Sequence, residues 1–177
     1  MKTPLQDAEQ LYREGRELYA AGRYDAAAEK FSHAASAGHA DAQEWLGTCY
    51  NYGHGVERDY TQAAAWYERA ALQGNGEAQY SLGLYYLTGD GVKKDAKKAV
   101  EWLTKAALQS HADAQSLLGD CYRNGEGVGK DVARAVEWYE RAVMNGDFDA
   151  RDDLKYLAEF EGVREAAAAL DRLTSRK

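Results

Sequence analysis

The stretch DAQSLLGDCYRNGEGVGKDVARAVEWYERAVMNG, Asp113 to Gly146, decides the fold, because the chain carries the same landmarks twice before it. Ala114, Leu118, Gly119, Tyr122, Gly125, Gly127, Val128, Asp131, Ala135, Trp138 and Ala142 return 36 residues earlier as Ala78, Leu82, Gly83, Tyr86, Gly89, Gly91, Val92, Asp95, Ala99, Trp102 and Ala106. A second shift gives Ala42, Leu46, Gly47, Tyr50, Gly53, Gly55, Val56, Asp59, Ala63, Trp66 and Ala70. A fixed period in this range marks a solenoid, whose units stack because none buries its apolar face alone.

Within one period, Ala114, Leu117, Leu118, Cys121 and Tyr122 stand at steps of three and four, the spacing of an amphipathic helix. Gly125 and Gly127 stop it, since two glycines suit a positive-φ turn and are poor helix formers. Asp131 stands where an N-cap is wanted, and Val132, Ala135, Val136, Tyr139, Ala142 and Val143 follow at helical spacing. Asn145-Gly146 ends this second helix. Small residues at Ala114, Gly119, Ala135 and Ala142 allow close helix approach, with Leu118, Tyr122 and Trp138 filling the remaining space.

The pattern A-x3-LG-x2-Y-x2-G-x-GV-x2-D-x3-A-x2-W-Y-x2-A resembles the Sel-one-like repeat, a relative of the tetratricopeptide repeat with a longer loop between its helices. Three copies run over residues 39–74, 75–110 and 111–146, with Leu103 replacing the Tyr of Tyr67 and Tyr139, and Ser110 replacing the closing glycine. The resemblance implies an all-α, right-handed α-α superhelix that binds other proteins as adaptor or scaffold. It implies no catalytic residues and no cofactor. Cysteine pairs that staple each repeat in some family members are absent here.

Around the three copies the pattern loosens. Leu11, Gly15, Leu18, Tyr24, Ala27, Phe31 and Ala34 resemble a plain tetratricopeptide repeat over residues 5–38, with helices expected from about Leu5 to Ala20 and Tyr24 to Ala37. After Gly146, Lys155 stands where glycine belongs and Ala158 where Tyr belongs. Residues 147–177 therefore read as capping helices with a polar outer face, Arg164 to Thr174 being the last. The whole chain, 1–177, is expected to form one solenoid domain. Asp59-x-x-Gln62 reads as a capping box. Asp41, Glu77, Asp113 and Asp149 read as first-turn carboxylates that favour the helix dipole.

Composition narrows the function. A net charge of −7 over 177 residues argues against nucleic acid and anionic membrane as partners, both of which call for a basic face. Lys93, Lys94, Lys97 and Lys98 form the one basic spot and read as a solvated face. No apolar run has the length of a membrane span, and the N-terminus lacks a hydrophobic signal core, so the chain reads as cytoplasmic. Cys49 and Cys121 share a repeat position two units apart, roughly 20 Å at helix-packing distances, and read as buried reduced thiols.

Nothing in the pattern assembles an active site. The four histidines lie in different units or in loops, without metal-ligand spacing. The Gly-x-Gly-Val loops follow helices rather than strands and lack the Lys-Ser/Thr of a P-loop. What remains is surface. The resemblance implies that the first helix of each repeat lines a concave groove, which places Tyr12, Arg16 and Tyr19 there, then Glu44, Thr48, Asn51 and Tyr52. Tyr80, Leu84 and Leu87 follow, then Ser116, Asp120, Arg123 and Asn124. Tyr80, Leu84 and Leu87 stand out because their counterparts in neighbouring repeats are polar, and an apolar patch rimmed by polar groups marks a binding site. The expected function is a protein-protein interaction module that takes a partner segment in this groove, as a monomer or with weak self-association. The alternative is a stoichiometric inhibitor or immunity-type protein that occludes a cognate toxin or enzyme.

Overall fold

The computed structural model describes residues 4–175, and among these there are ten α-helices and no strand. The helices pack as two compact units, Met1–Lys94 and Asp95–Lys177, divided inside the loop of the middle repeat. The first holds α1 (Pro4–Ala20), α2 (Tyr24–Ser36), α3 (Ala40–Tyr52), α4 (Tyr60–Leu72) and α5 (Gly76–Thr88). The second holds α6 (Ala96–Leu108), α7 (Ala112–Asn124), α8 (Val132–Met144), α9 (Ala150–Glu159) and α10 (Arg164–Thr174). Each helix packs on the one that follows it within its unit, as the short connections require. The expected bounds of the first two helices and of α10 are met to within a residue.

Small residues set the spacing between paired helices. A side chain at Gly47 would place its Cβ 2.8 Å from the Tyr67 ring, and at Gly119 2.7 Å from the Tyr139 ring. Gly15 stands in the same relation to Phe31. The core of the first unit is built on Ala27, Phe31, Ala34, Ala42, Leu46 and Cys49, with Leu11, Tyr19 and Trp45 packed against it. That of the second is built on Ala135, Val136, Tyr139, Leu154, Leu157 and Ala166.

The loop glycines have two distinct jobs. Gly53 and Gly125 end α3 and α7 in the left-handed conformation. Gly55, Gly91 and Gly127 instead lie against the preceding repeat: a Cβ on each would fall 2.1–2.2 Å from the carbonyl oxygen of Tyr24, Tyr60 and Ala96. These carbonyls open α2, α4 and α6, so the glycine loop is a stacking contact between repeats rather than a cradle for phosphate.

Helix starts follow the aspartate expectation with one change. Asp59, Asp95 and Asp131 each accept N-capping bonds. At Asp59, however, the backbone N–H that a reciprocal capping box would use donates to the Tyr50 carbonyl (3.0 Å), tying the loop back to α3. Asp131 repeats this with Tyr122 (2.8 Å). Asp41, Glu77 and Asp113 do sit in first turns. Asp149 does not: it precedes α9 without a capping bond, and Asp147 accepts the Asp149 and Ala150 N–H groups instead.

Three further helix starts use residues to which the pattern gave no capping role. His39, Asn75 and His111 cap α3, α5 and α7 by accepting from the N–H three residues on. Because His39 Nδ1 accepts, its Nε2 carries the proton and donates to Glu9 (2.9 Å). Gln43, Gln79 and Gln115 are buried, and each donates to the carbonyl eight residues earlier, at Ala35, Ala71 and Ala107. These buried amides give last-turn carbonyls of the preceding helix a second donor, beside the N–H of Gly38, Gly74 and Ser110.

In the second unit α9 and α10 close the core over α8, and Arg172 forks onto both oxygens of Glu140 at 2.8 and 2.6 Å. Their outer side is not wholly polar as expected. Phe148 and Phe160 flank α9 outside the face that meets α8 and are about three-quarters exposed, at 74% and 75%.

Candidate functional site

The helical period brings Glu44, Thr48, Asn51 and Tyr52 onto one face of α3, and Tyr80, Ser81, Leu84 and Thr88 onto one face of α5. These faces enclose a pocket of about 710 Å³, completed by Trp45 of α3, Tyr60 and Tyr67 of α4, Glu77 and Tyr85 of α5, and Asp90. The pocket lies wholly within the first unit.

Aromatic rings line its floor. Tyr85 stands edge-on to Tyr67 (5.6 Å, 87°) and to Tyr60 (6.2 Å, 88°), and its hydroxyl donates to Asn51 Oδ1 at 2.7 Å. Trp45 is braced by the Tyr19 edge at 4.8 Å and the Phe31 ring at 5.5 Å, with the Arg16 guanidinium 4.6 Å over its ring. Tyr52 is 64% exposed at the rim. Burial pushes the Tyr67 and Tyr85 hydroxyls well above the ordinary tyrosine range, so both stay protonated donors.

A short hydroxyl chain ends at Glu44. Thr48 Oγ1 donates to Glu44 Oε1 (2.9 Å) and lies 3.1 Å from the Tyr67 hydroxyl. A threonine has one hydroxyl proton, so with Glu44 ionised Tyr67 donates to Thr48 and Thr48 to Glu44. Glu44 is only 8% exposed. Burial is the largest influence on its carboxyl and pushes it up to about 7; the Thr48 bond opposes this, while the charges of Glu77 and Asp41 add to it and Arg16 opposes weakly. Among the described residues no ion pair to Glu44 forms.

Six of the residues expected in the groove therefore meet here: Glu44, Thr48, Asn51, Tyr52, Tyr80 and Leu84. Leu87 is half-buried on α5 and does not line the pocket. Tyr12, Arg16 and Tyr19 form a separate α1 cluster that backs onto Trp45: Arg16 donates to the Tyr12 hydroxyl (3.0 Å), Tyr12 stacks on His39 (4.7 Å), and the Tyr19 hydroxyl meets His54 Nδ1 (2.6 Å). In the second unit Ser116 is half-buried and Asn124 exposed on α7. Asp120 accepts from the Tyr139 hydroxyl (2.7 Å). Arg123 lies over the Tyr156 ring (4.9 Å) and pairs with Asp153 (3.3 Å) and Glu161 (3.6 Å), so its charge already has carboxylate partners.

The residues that sequence reasoning missed are Trp45, Tyr60, Tyr67, Glu77, Ser81, Tyr85, Thr88 and Asp90. Tyr67 and Tyr85 are buried core positions whose hydroxyl ends reach the pocket wall. The crowding of aromatics between Trp45 and Tyr85 was the available signal. Both cysteines are free and buried, and burial raises Cys49 to about 12 and Cys121 to about 11, which keeps them as thiols at neutral pH. Among the described residues no group of three or more His, Cys, Asp or Glu is placed to hold a metal, and no helix is long and apolar enough to cross a membrane.

Comparison with known proteins bears on the repeat. The Sel1 repeat matches residues 40–75, 76–111 and 112–147. A Sel1 repeat protein from Oxalobacter formigenes superposes with a TM-score of 0.80 at 36% identity, over 86% of this chain and 61% of that one. A protective antigen of uropathogenic Escherichia coli strains, displaying an SLR fold, superposes with a TM-score of 0.83 at 33% identity, over 92% of this chain and 38% of that one. The cysteine rich protein B of Helicobacter pylori matches less closely, with a TM-score of 0.57 at 26% identity over 70% of this chain and 93% of that one. The chain thus spans less than two thirds of the first two relatives. No curated protein matches it. Sel1 repeat proteins are generally protein-interaction modules. With three consecutive repeats over more than half its length, in an α-α solenoid fold, the chain belongs to the Sel1 repeat family.

Proposed function

We propose that this chain is a protein-protein interaction module, an adaptor or scaffold, which takes a segment of a partner protein at the α3–α5 pocket. The observation that carries the reading is the pocket itself: about 710 Å³, open to solvent, and lined by aromatic side chains, with Tyr52 exposed at the rim and stacked on His54. Rigid aromatic anchors in a concave site are the usual source of binding energy at protein interfaces. The two buried thiols suit a reducing compartment such as the cytoplasm.

The test is capture of a partner from native lysate by the wild type and by a Tyr80→Ala, Leu84→Asp variant whose circular dichroism is unchanged. The variant is expected to lose the captured protein, with affinity falling at least tenfold. Leu84 is half-buried, so Tyr52→Ala provides a second variant that leaves the core untouched. It should weaken capture about threefold to tenfold. A partner retained equally by all three proteins places binding elsewhere on the chain.

A further inference from the structure

The lining of the α3–α5 pocket has one sign. It contains six aromatic rings and three carboxylates, Glu44, Glu77 and Asp90, with no Lys, Arg or His. An anionic occupant would meet like charges. An apolar occupant would cover Glu44, already 8% exposed, without giving it a counter-charge. A cation meets both features at once, since aromatic faces attract it electrostatically and a carboxylate in a partly desolvated site pairs with it. Two cations of the chain itself lie over lining rings, Arg16 over Trp45 at 4.6 Å and Arg58 over Tyr60 at 5.6 Å, but neither is part of the pocket lining, and Tyr52, Tyr67 and Tyr85 remain for an incoming cation. Cation-on-ring contact already recurs in this fold: Arg69, Lys105 and Arg141 lie 4.3, 3.7 and 4.6 Å over Trp66, Trp102 and Trp138.

We infer that the pocket is a receptor for a cationic side chain, a Lys or Arg presented by a basic segment of the partner protein, with Glu44 as its buried counter-ion and the tyrosine rings as its walls. The inference rests on the interaction reading above and names the chemistry of that partner. The net charge of −7 would steer a basic segment toward the chain.

Protonation is coupled to this binding. In the chain by itself burial holds Glu44 up to about 7. The groups that face it are Arg16 and Tyr19 from α1, Asp41, Thr48 and Cys49 on its own helix α3, Tyr67 from α4 and Glu77 from α5. A bound ammonium favours the ionised carboxylate, so binding releases a proton. Glu44 goes from roughly a tenth ionised at pH 6 to roughly nine tenths at pH 8, and affinity for a cation rises about tenfold over that interval.

The test uses three acetylated, amidated heptapeptides, alike except for a central Lys, Arg or norleucine, titrated into the full chain and followed by backbone amide shifts. The Lys or Arg peptide is expected to shift Glu44, Thr48, Tyr80 and Leu84 and to bind at least tenfold tighter than the norleucine peptide. Glu44→Gln should remove that preference and its rise with pH. Equal binding of the norleucine peptide, or a preference that survives Glu44→Gln, overturns the cation inference. So does absence of binding by every peptide at about 5 mM. In those cases capture that still depends on Tyr80 and Leu84 leaves the interaction module standing, whereas capture independent of them removes both readings. Butylamine bound as tightly as the Lys peptide would overturn the protein source and assign the pocket to free amines.

Discussion

A Gly91→Ala protein should be less stable to urea by about 3 kcal/mol, while Gly22→Ala loses only about 1 kcal/mol. Both glycines have left-handed backbones, φ 64 at Gly91 and φ 73 at Gly22, so both carry the penalty for a Cβ in that conformation. They differ in what the new atom meets. At Gly22 nothing lies within 4 Å, whereas at Gly91 the Tyr60 carbonyl oxygen is 2.1 Å away and its carbon 2.3 Å. A backbone carbonyl at the start of α4 is held by the helix and has no rotamer to escape into, so the loop must lift off the preceding repeat. In a solenoid that contact is part of the nearest-neighbour coupling on which the stack depends. Equal losses at the two glycines would mean that the Gly-x-Gly loop turns the chain without joining the repeats.

Glu44→Gln should stabilise the protein at pH 8 by up to about 3 kcal/mol and leave it nearly unchanged at pH 4. The carboxyl is held up to about 7 by burial, above the usual carboxylate range of the unfolded chain. The native state therefore binds more protons between these values. The contribution of Glu44 to stability is intact below the unfolded value and is lost as pH rises toward 7, as its burial in ionised form becomes costly. The difference between wild type and variant, followed by urea unfolding at several pH values, should open over this window and level off above it. A difference independent of pH would show that Glu44 is not buried as an acid. A group that weakens the free protein at neutral pH has a rationale in the cation it would receive, because the same charge that costs stability in the chain by itself attracts the ligand.

The repeat was legible because its signals are local and recur. Gly-x-Gly, the capping aspartates and the three-and-four spacing of Ala, Leu and Tyr place the helices without reference to tertiary structure. The capping roles of His39, Asn75 and His111 were less visible, since histidine is not a usual N-cap and its acceptor depends on the tautomer. Gln43, Gln79 and Gln115 did recur at the 36-residue period, a signal that would have found them, but a glutamine on a helix reads as solvated until its partner carbonyl is known. The pocket was half legible. Counting along the first helices finds Glu44, Thr48, Tyr80 and Leu84, but Tyr60 and Tyr67 arrive from α4, and spacing on one helix carries no information about rings that reach in from the next. Glu44 itself looked like one polar member of a face. Its importance comes from burial, which is a property of the assembled helices.

Whether the α3–α5 pocket receives a partner protein is read by site-specific photocrosslinking in native lysate, with benzoylphenylalanine in place of Tyr80 or, separately, of Glu68 on the exposed side of α4. One covalent adduct is expected from the Tyr80 position, suppressed by excess wild-type chain, and none from Glu68. Adducts from Glu68 alone, or the same adduct from both positions, would contradict binding at the pocket.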